Sequence, residues 1–148
     1  MGTQGKITAV CRSERKGTRK SQVPEGELRV DHGLLGDAHA GSARQVSLLA
    51  AESVARMRGG GLEVGPGDFA ENLTTSGLVI HALPVGARLK VGEAALLEIT
   101  QIGKECHSAC EIRRLTGECV MPTEGVFARV LVAGKVRPGD SIEVVEGG

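Results

Sequence analysis

Residues 103 to 112 read GKECHSACEI, and Cys119 follows nine residues after Cys110, so three of the chain's four thiols fall in one short stretch. Cys106, Cys110 and Cys119 with His107 supply four ligands of the kinds zinc accepts. Structural zinc usually takes two close ligand pairs, and here one C-x3-C pair is followed by a single cysteine. Free cysteine also packs readily as a small buried hydrophobe, and on spacing alone that reading ranks slightly first. The neighbours of Cys106 change the balance at that position. A sulfur that attacks or ligates must be a thiolate, and thiol acidity rises beside Lys, protonated His or a helix N-terminus. Cys106 has Lys104 two residues before it and His107 directly after it. It also opens a stretch read as a short helix, whose first N–H groups favour an anion. Cys110 and Cys119 lack such neighbours. Cys11 falls at the end of an apolar strand and is read as core.

Three other places carry reactive side chains. The loop from 12 to 20 holds Arg12, Arg15, Lys16, Arg19 and Lys20 against one Glu. It suits either an anionic ligand or plain solvation. Asp37 and His39 alternate in GDAHAG, as a base with its orienting carboxylate, as two metal ligands, or as an ordinary turn. Glu71 and Asn72 follow Phe69 in a segment bounded by turns, where an amide can read a heterocycle edge or cap a strand. GGGLEVGPGDF lacks the Gly-Lys-Ser/Thr ending of a phosphate loop and follows a helix rather than a strand. No Ser-His-Asp or paired-carboxylate spacing is present.

The elements that must position these groups are legible from apolar runs and turn residues. With 148 residues, 41% hydrophobic and 24% charged, the chain is expected to form one domain over 1–148 with a core of its own. Its 22 glycines punctuate turns such as VGPGD, KVGE and RPGD, which suits many short strands. Strands are expected in GKITAVC, GELRV, RQVSLLA and ENLTTSG. GARLKVGEAALLEITQ reads as a hairpin turning near Gly92-Glu93. GVFARVLVAG and DSIEVVE read as a second hairpin around KVRPGD. AAESVARMRGGG is the clearest helix, closed by glycine. Six to eight strands that do not alternate with helices predict a mainly β fold, a mostly antiparallel closed or nearly closed barrel with one to three short helices. A net charge of zero, no Trp, no Tyr and only Phe69 and Phe127 argue against nucleic acid as partner. The N-terminus lacks a signal-peptide run and Lys6 stands where myristoylation wants Ser or Thr. No stretch is long enough to span a membrane. A cytoplasmic location with reduced thiols is expected.

In order along the chain, GLLGDAHAG with RQVSLL, PGDFAEN, LPVGARLKVGEAALLEITQIGKECHSAC, CVMPTEGVFARVL and VRPGD resemble a stand-alone MOSC domain, the module named for the C-terminal part of molybdenum cofactor sulfurases. The resemblance implies a barrel of the kind first described in pyruvate kinase. It also implies molybdenum cofactor or sulfur chemistry, with molybdopterin as cofactor. It places the family's working thiol, a persulfide carrier or molybdenum ligand, on Cys106 beside Lys104 and His107. It maps cofactor-binding positions onto Lys20, Asp37, His39, Glu71, Asn72 and Arg129, with the basic loop towards the phosphate end and Glu71 or Asn72 towards the heterocycle. A cysteine desulfurase, the pyridoxal-phosphate enzyme class linked to this family, or a cofactor biosynthesis protein is the implied partner. The chain departs from the family where Lys20 lacks the following Lys-x-Pro proline and where Thr123 replaces a common Arg. A cysteine-based zinc or thiol-redox module stands as the alternative, and a scaffold without chemistry as a third reading.

Overall fold

The computed structural model describes residues 4–14, 20–38, 40–41, 45–59, 65–67, 69, 71–103 and 124–146. Among these residues eleven strands are arranged in two sheets: β1 (Gln4–Arg12), β2 (Ser21–Val23), β3 (Gly26–Arg29), β4 (Gly33–Leu34), β5 (Val46–Ala50), β6 (Leu73–Ser76), β7 (Arg88–Val91), β8 (Ala95–Ile102), β9 (Val126–Val132), β10 (Gly134–Val136) and β11 (Ser141–Glu146). The helix α1 (Ala51–Gly59) follows β5, and a 3-10 turn spans Ile80–Ala82.

The larger sheet runs β11-β7-β8-β9-β5-β6-β1-β2, and β11 also pairs with β1, which closes a ring of seven strands with β2 outside it. A closed ring of seven cannot alternate direction all the way round, so at least one neighbouring pair must be parallel. That pair is β5–β6, with Leu48 beside Leu73 and Ala50 beside Thr75. Parallel neighbours need a long crossover, and α1 lies in that connection. β5 is buried along its whole length. It has β9 on one side, β6 on the other and α1 continuing from its end. A strand covered in this way reads as a continuous apolar run rather than an alternation. β1, by contrast, alternates exposed and buried from Gln4 to Lys6 and beyond, as a strand with one wet face should.

The first hairpin stands as expected, with β7 and β8 antiparallel from Arg88–Glu98 to Val91–Ala95 and Gly92 in the left-handed region at φ 65°. The second hairpin does not form. β9 pairs with β8 and β5, and β11 pairs with β7 and β1. The turn at Pro138-Gly139 joins β11 to β10 instead, and β10 pairs with β3 in the small sheet β10-β3-β4. Burial gives the reason: four of the first five residues of β9 are buried, which requires a strand flanked on both sides. Leu28, Leu34 and Val136 of the small sheet are fully buried and join the barrel's core cluster. Cys11 is buried as expected near the end of β1. Among the described residues no helix is long and apolar enough to cross a membrane.

Candidate functional site

At the rim where β5 and β6 begin and β1 ends, buried polar side chains gather. Lys20 Nζ lies 2.8 Å from Asp37 Oδ1, and neither side chain has exposed surface. The ammonium also donates to Ser13 Oγ at 3.2 Å, and Asp37 Oδ1 accepts the Ser13 N–H at 3.1 Å. Burial of this kind is tolerable only for a paired charge with further hydrogen bonds. The Lys20 backbone is fixed as well, its N–H donating to Gly67 O at 2.8 Å. Gly67 has φ 86°, and a Cβ there would sit 2.1 Å from Lys20 O and 3.2 Å from Cys11 Sγ. Only glycine allows that approach.

Asn72 ties β1 to β5. Its Oδ1 accepts the Ser47 N–H at 3.0 Å and the Ser47 hydroxyl at 3.2 Å, while Nδ2 donates to Cys11 O at 3.1 Å. Its backbone N–H donates to Ser47 O at 2.9 Å and its carbonyl accepts the Cys11 N–H at 2.7 Å. Glu71, next in line, has no exposed surface. Its Oε2 accepts the Thr74 hydroxyl at 2.8 Å, and among the described residues Oε1 completes no hydrogen bond. Burial pushes its carboxyl above the ordinary value, outweighing the hydrogen bonds that favour the carboxylate. Beside this cluster lies a cleft of about 450 Å³ lined by Arg12, Ser13, Glu14, Ser21, Val23 and Gly36. Ser13 belongs both to the cleft wall and to the Lys20–Asp37 pair.

The other end of β5 runs into α1. Here β8 finishes and β9 starts, Ile102 opposite Val126, and the Gly103 N–H donates to Gly125 O at 2.7 Å. Glu124 accepts the Ser53 hydroxyl of α1 at 2.6 Å and pairs with Arg56, with His81 Nε2 3.8 Å away. Gly103 and Glu124 are the described residues that bracket positions 104–123. Lys104, Cys106, His107, Cys110, Cys119 and Thr123, with the short helix expected there, lie outside the described residues, as do His39 and residues 15–19 of the basic loop.

A family model described as the MOSC domain matches residues 36–143, which is more than half of the chain. The chain belongs to the MOSC domain family. The match spans Cys106 and, among the positions mapped from the resemblance, Asp37, His39, Glu71, Asn72 and Arg129; it leaves out Lys20. Similar solved structures include the YuaD protein of Bacillus subtilis, 20% identical with TM-score 0.79 and 95% of each chain covered. YiiM of Geobacillus stearothermophilus is 21% identical at TM-score 0.73, covering 96% of this chain and 75% of its own. YiiM of Escherichia coli is 24% identical at 0.67, covering 98% and 71%. At these identities they show the fold alone. No curated protein matches the sequence. The family is linked to molybdenum cofactor sulfurase-type function.

In this MOSC domain the positions mapped from the resemblance separate into groups. Lys20 meets Asp37 directly, and Gly67 joins that pair to the strand entrance carrying Glu71 and Asn72. Arg129 sits elsewhere, half-exposed on β9, where it pairs with Glu98 of β8 at 2.8 Å; Arg88 of β7 pairs with the same carboxylate at 3.3 Å. Val46 to Ala50 spans four strand steps, about 13 Å, and this separates the Lys20–Asp37 rim from the Gly103–Gly125 contact. Ser13, Ser47 and Gly67, which complete the first rim, were not anticipated from sequence. Ser47 and Asn72 are 25 residues apart, so no local pattern announces their exchange.

The Arg88–Glu98–Arg129 ladder gives a prediction of its own. Arg129 first, then Arg88, holds the Glu98 carboxyl below its ordinary value. A lowered folded value means that the ladder stabilises the fold above the ordinary carboxyl range and that this contribution is lost as pH falls through the lowered value. Glu98→Gln should therefore reduce the melting temperature slightly at neutral pH and less in acid, with the difference shrinking in high salt. Melting curves that show the same offset under all these conditions would remove the ladder's electrostatic role.

Proposed function

We propose that this MOSC domain carries sulfur on Cys106 within molybdenum cofactor metabolism. Membership of the family, through a match that spans Cys106, is the observation that carries the reading. Lys104 and His107 favour the thiolate that the role requires. In the transfer step the Cys106 thiolate attacks the outer sulfur of a persulfide on a cysteine desulfurase or cofactor biosynthesis protein. A new S–S bond forms at Cys106 as the donor's S–S bond breaks. The donor leaves as a thiolate, and no net oxidation occurs.

Bound molybdenum cofactor would supply a metal centre for which the Cys106 sulfur is a suitable soft ligand. Among the described residues no group of three or more His, Cys, Asp and Glu could hold a metal ion. The rim is suited to the organic part: the cleft offers the Arg12 guanidinium and the Ser13 and Ser21 hydroxyls to an anionic or polar ligand. On this reading Lys20, Asp37, Glu71 and Asn72 serve the cofactor mainly by fixing the cleft's wall and floor. His39 and Arg129 retain the cofactor-binding role that the resemblance implies.

Intact-mass measurement with and without reductant, beside metal analysis of the same sample, tests the proposal. Wild type incubated with a desulfurase-generated persulfide should gain 32 Da, about one sulfur atom on one thiolate nucleophile, lost on reduction, or should retain molybdenum. Cys106→Ser should do neither. A Cys106→Ser protein with unchanged adduct and unchanged molybdenum would overturn the reading. Stoichiometric zinc that disappears on replacing Cys106, Cys110 and Cys119 together would support the zinc module instead.

A further inference from the structure

The connection between β6 and β7 holds apolar side chains out in water. From Leu78 to Ala87 it reads LVIHALPVGA, with His81 as its only titratable residue. Val79 and Val85, 60% and 58% exposed, are the most exposed large apolar side chains among the described residues, and Ala82 and Pro84 between them are exposed too. The backbone beneath them is anchored. Leu78, Ile80 and Ala87 are buried. The Ala82 N–H donates to Val79 O at 3.1 Å, the Leu83 N–H to Ile80 O at 3.2 Å and the Gly86 N–H to Ile99 O at 2.8 Å. Neighbouring apolar side chains kept in solvent mark a contact surface. An ordered backbone also spares a partner the cost of ordering it.

Position and charge point to what covers this ridge. His81 Nε2 lies 3.8 Å from Glu124 Oε1, and the residue after Glu124, Gly125, accepts the Gly103 N–H. The ridge thus borders the residues that bracket positions 104–123, and Cys106 stands three residues after Gly103 in the chain. Its two ends differ in charge. At the start the Glu52 carboxylate accepts the Gly77 N–H at 2.9 Å. At the far end Ala87 runs into Arg88, which shares the Glu98 carboxylate with Arg129, two guanidiniums on one acid. We propose that the Val79–Val85 ridge is the docking surface for the protein that donates sulfur, an inference that rests on the sulfur-carrier reading of Cys106. The partner it fits has an apolar groove with a carboxylate at the end that meets Arg88. Apolar contact supplies affinity, and the charged ends fix the direction in which the donor lies. A small free persulfide needs no such surface, which separates docking from the chemistry of the thiol.

Sulfur transfer is followed by intact mass with two donors, a purified cysteine desulfurase carrying its persulfide and free cysteine persulfide. Val79→Asp combined with Val85→Asp changes two exposed side chains and should melt as wild type does. This double variant should need at least about tenfold more desulfurase for the same transfer rate, while its rate with cysteine persulfide stays unchanged. Arg88→Glu should raise the desulfurase requirement by less, and added salt should shrink its difference from wild type. Equal desulfurase dependence in wild type and the double variant overturns the ridge. So does a double variant slowed equally with both donors, and so does a wild type that takes sulfur from cysteine persulfide but not from the desulfurase. A wild type that sediments as a dimer, broken by the double variant, assigns the surface to a second copy of the chain and overturns the donor role. No transfer to wild type from either donor removes the Cys106 reading, and the donor surface with it.

Discussion

Lys20→Met and Asp37→Leu, made singly, should each destabilise the fold by about 3–5 kcal/mol, because each removes one partner of an ion pair held in a dry site. The double variant should recover most of that loss. The geometry sets this sign. The two charged atoms are 2.8 Å apart and both side chains are wholly buried, so solvent screening, which makes surface pairs nearly worthless, does not operate here. Met and Leu approximate the volumes removed and ask nothing of Ser13, whose hydroxyl stands at the cleft wall. Urea unfolding of the four proteins at neutral pH checks the cycle. Single variants within about 1 kcal/mol of wild type, at the level of an exposed pair, would refute a buried pair, as would a double variant no better than the worse single. The same proteins separate two roles for Lys20. If it touches the cofactor, the double variant will regain stability but not cofactor affinity. If it only holds the rim, affinity will return with stability.

How far the sequence reaches depends on how local the cause is. The β7–β8 hairpin was legible because its register is set by a short turn at Gly92 between two apolar runs. α1 was legible because Ala, Glu and Arg follow a mostly apolar strand and glycine ends them. The β9–β11 hairpin failed for the opposite reason. Both runs are good strands with a good turn nearby, but which neighbours they take depends on closing the ring with β1, some 130 residues earlier in the chain. The parallel β5–β6 pair has no local signature either; a ring of seven requires a parallel pair somewhere but does not choose which. At the site, the resemblance mapped cofactor positions onto Lys20, Asp37, His39, Glu71, Asn72 and Arg129; the fold places Lys20, Asp37, Glu71 and Asn72 around one rim and Arg129 apart from them on β9. Their chemistry could not be read in advance, because a lysine in a basic loop is indistinguishable by sequence from one buried on an aspartate. Gly67 shows the same limit: GPGD announces a turn, while the 2.1 Å clash of a Cβ with Lys20 O exists only in three dimensions.

Asn72→Ala should lose about 3 kcal/mol, and Asn72→Asp should lose an amount that depends on pH. The alanine variant keeps the backbone bonds at 2.7 and 2.9 Å that carry the strand pairing, so the fold survives. It removes the amide oxygen from the Ser47 N–H and hydroxyl, and the amide N–H from the Cys11 carbonyl, all in a buried region. Buried polar groups that lose a partner cost roughly 1–3 kcal/mol each, and two backbone groups are affected. Aspartate keeps the acceptor for Ser47 but turns a carboxylate oxygen towards the Cys11 carbonyl, where the native amide donates. Protonated, it can donate in that place; ionised, it repels. Its loss relative to wild type should therefore be small in acid and grow as pH rises through the buried aspartate's titration. Urea midpoints of wild type, Asn72→Ala and Asn72→Asp at acid and neutral pH give the answer. An alanine variant within about 1 kcal/mol of wild type would mean that the amide contributes little to holding Ser47 and Cys11. An aspartate variant with a pH-independent deficit would mean that the Cys11 carbonyl does not face the site of substitution, and the amide bridge between β1 and β5 would then have to be withdrawn.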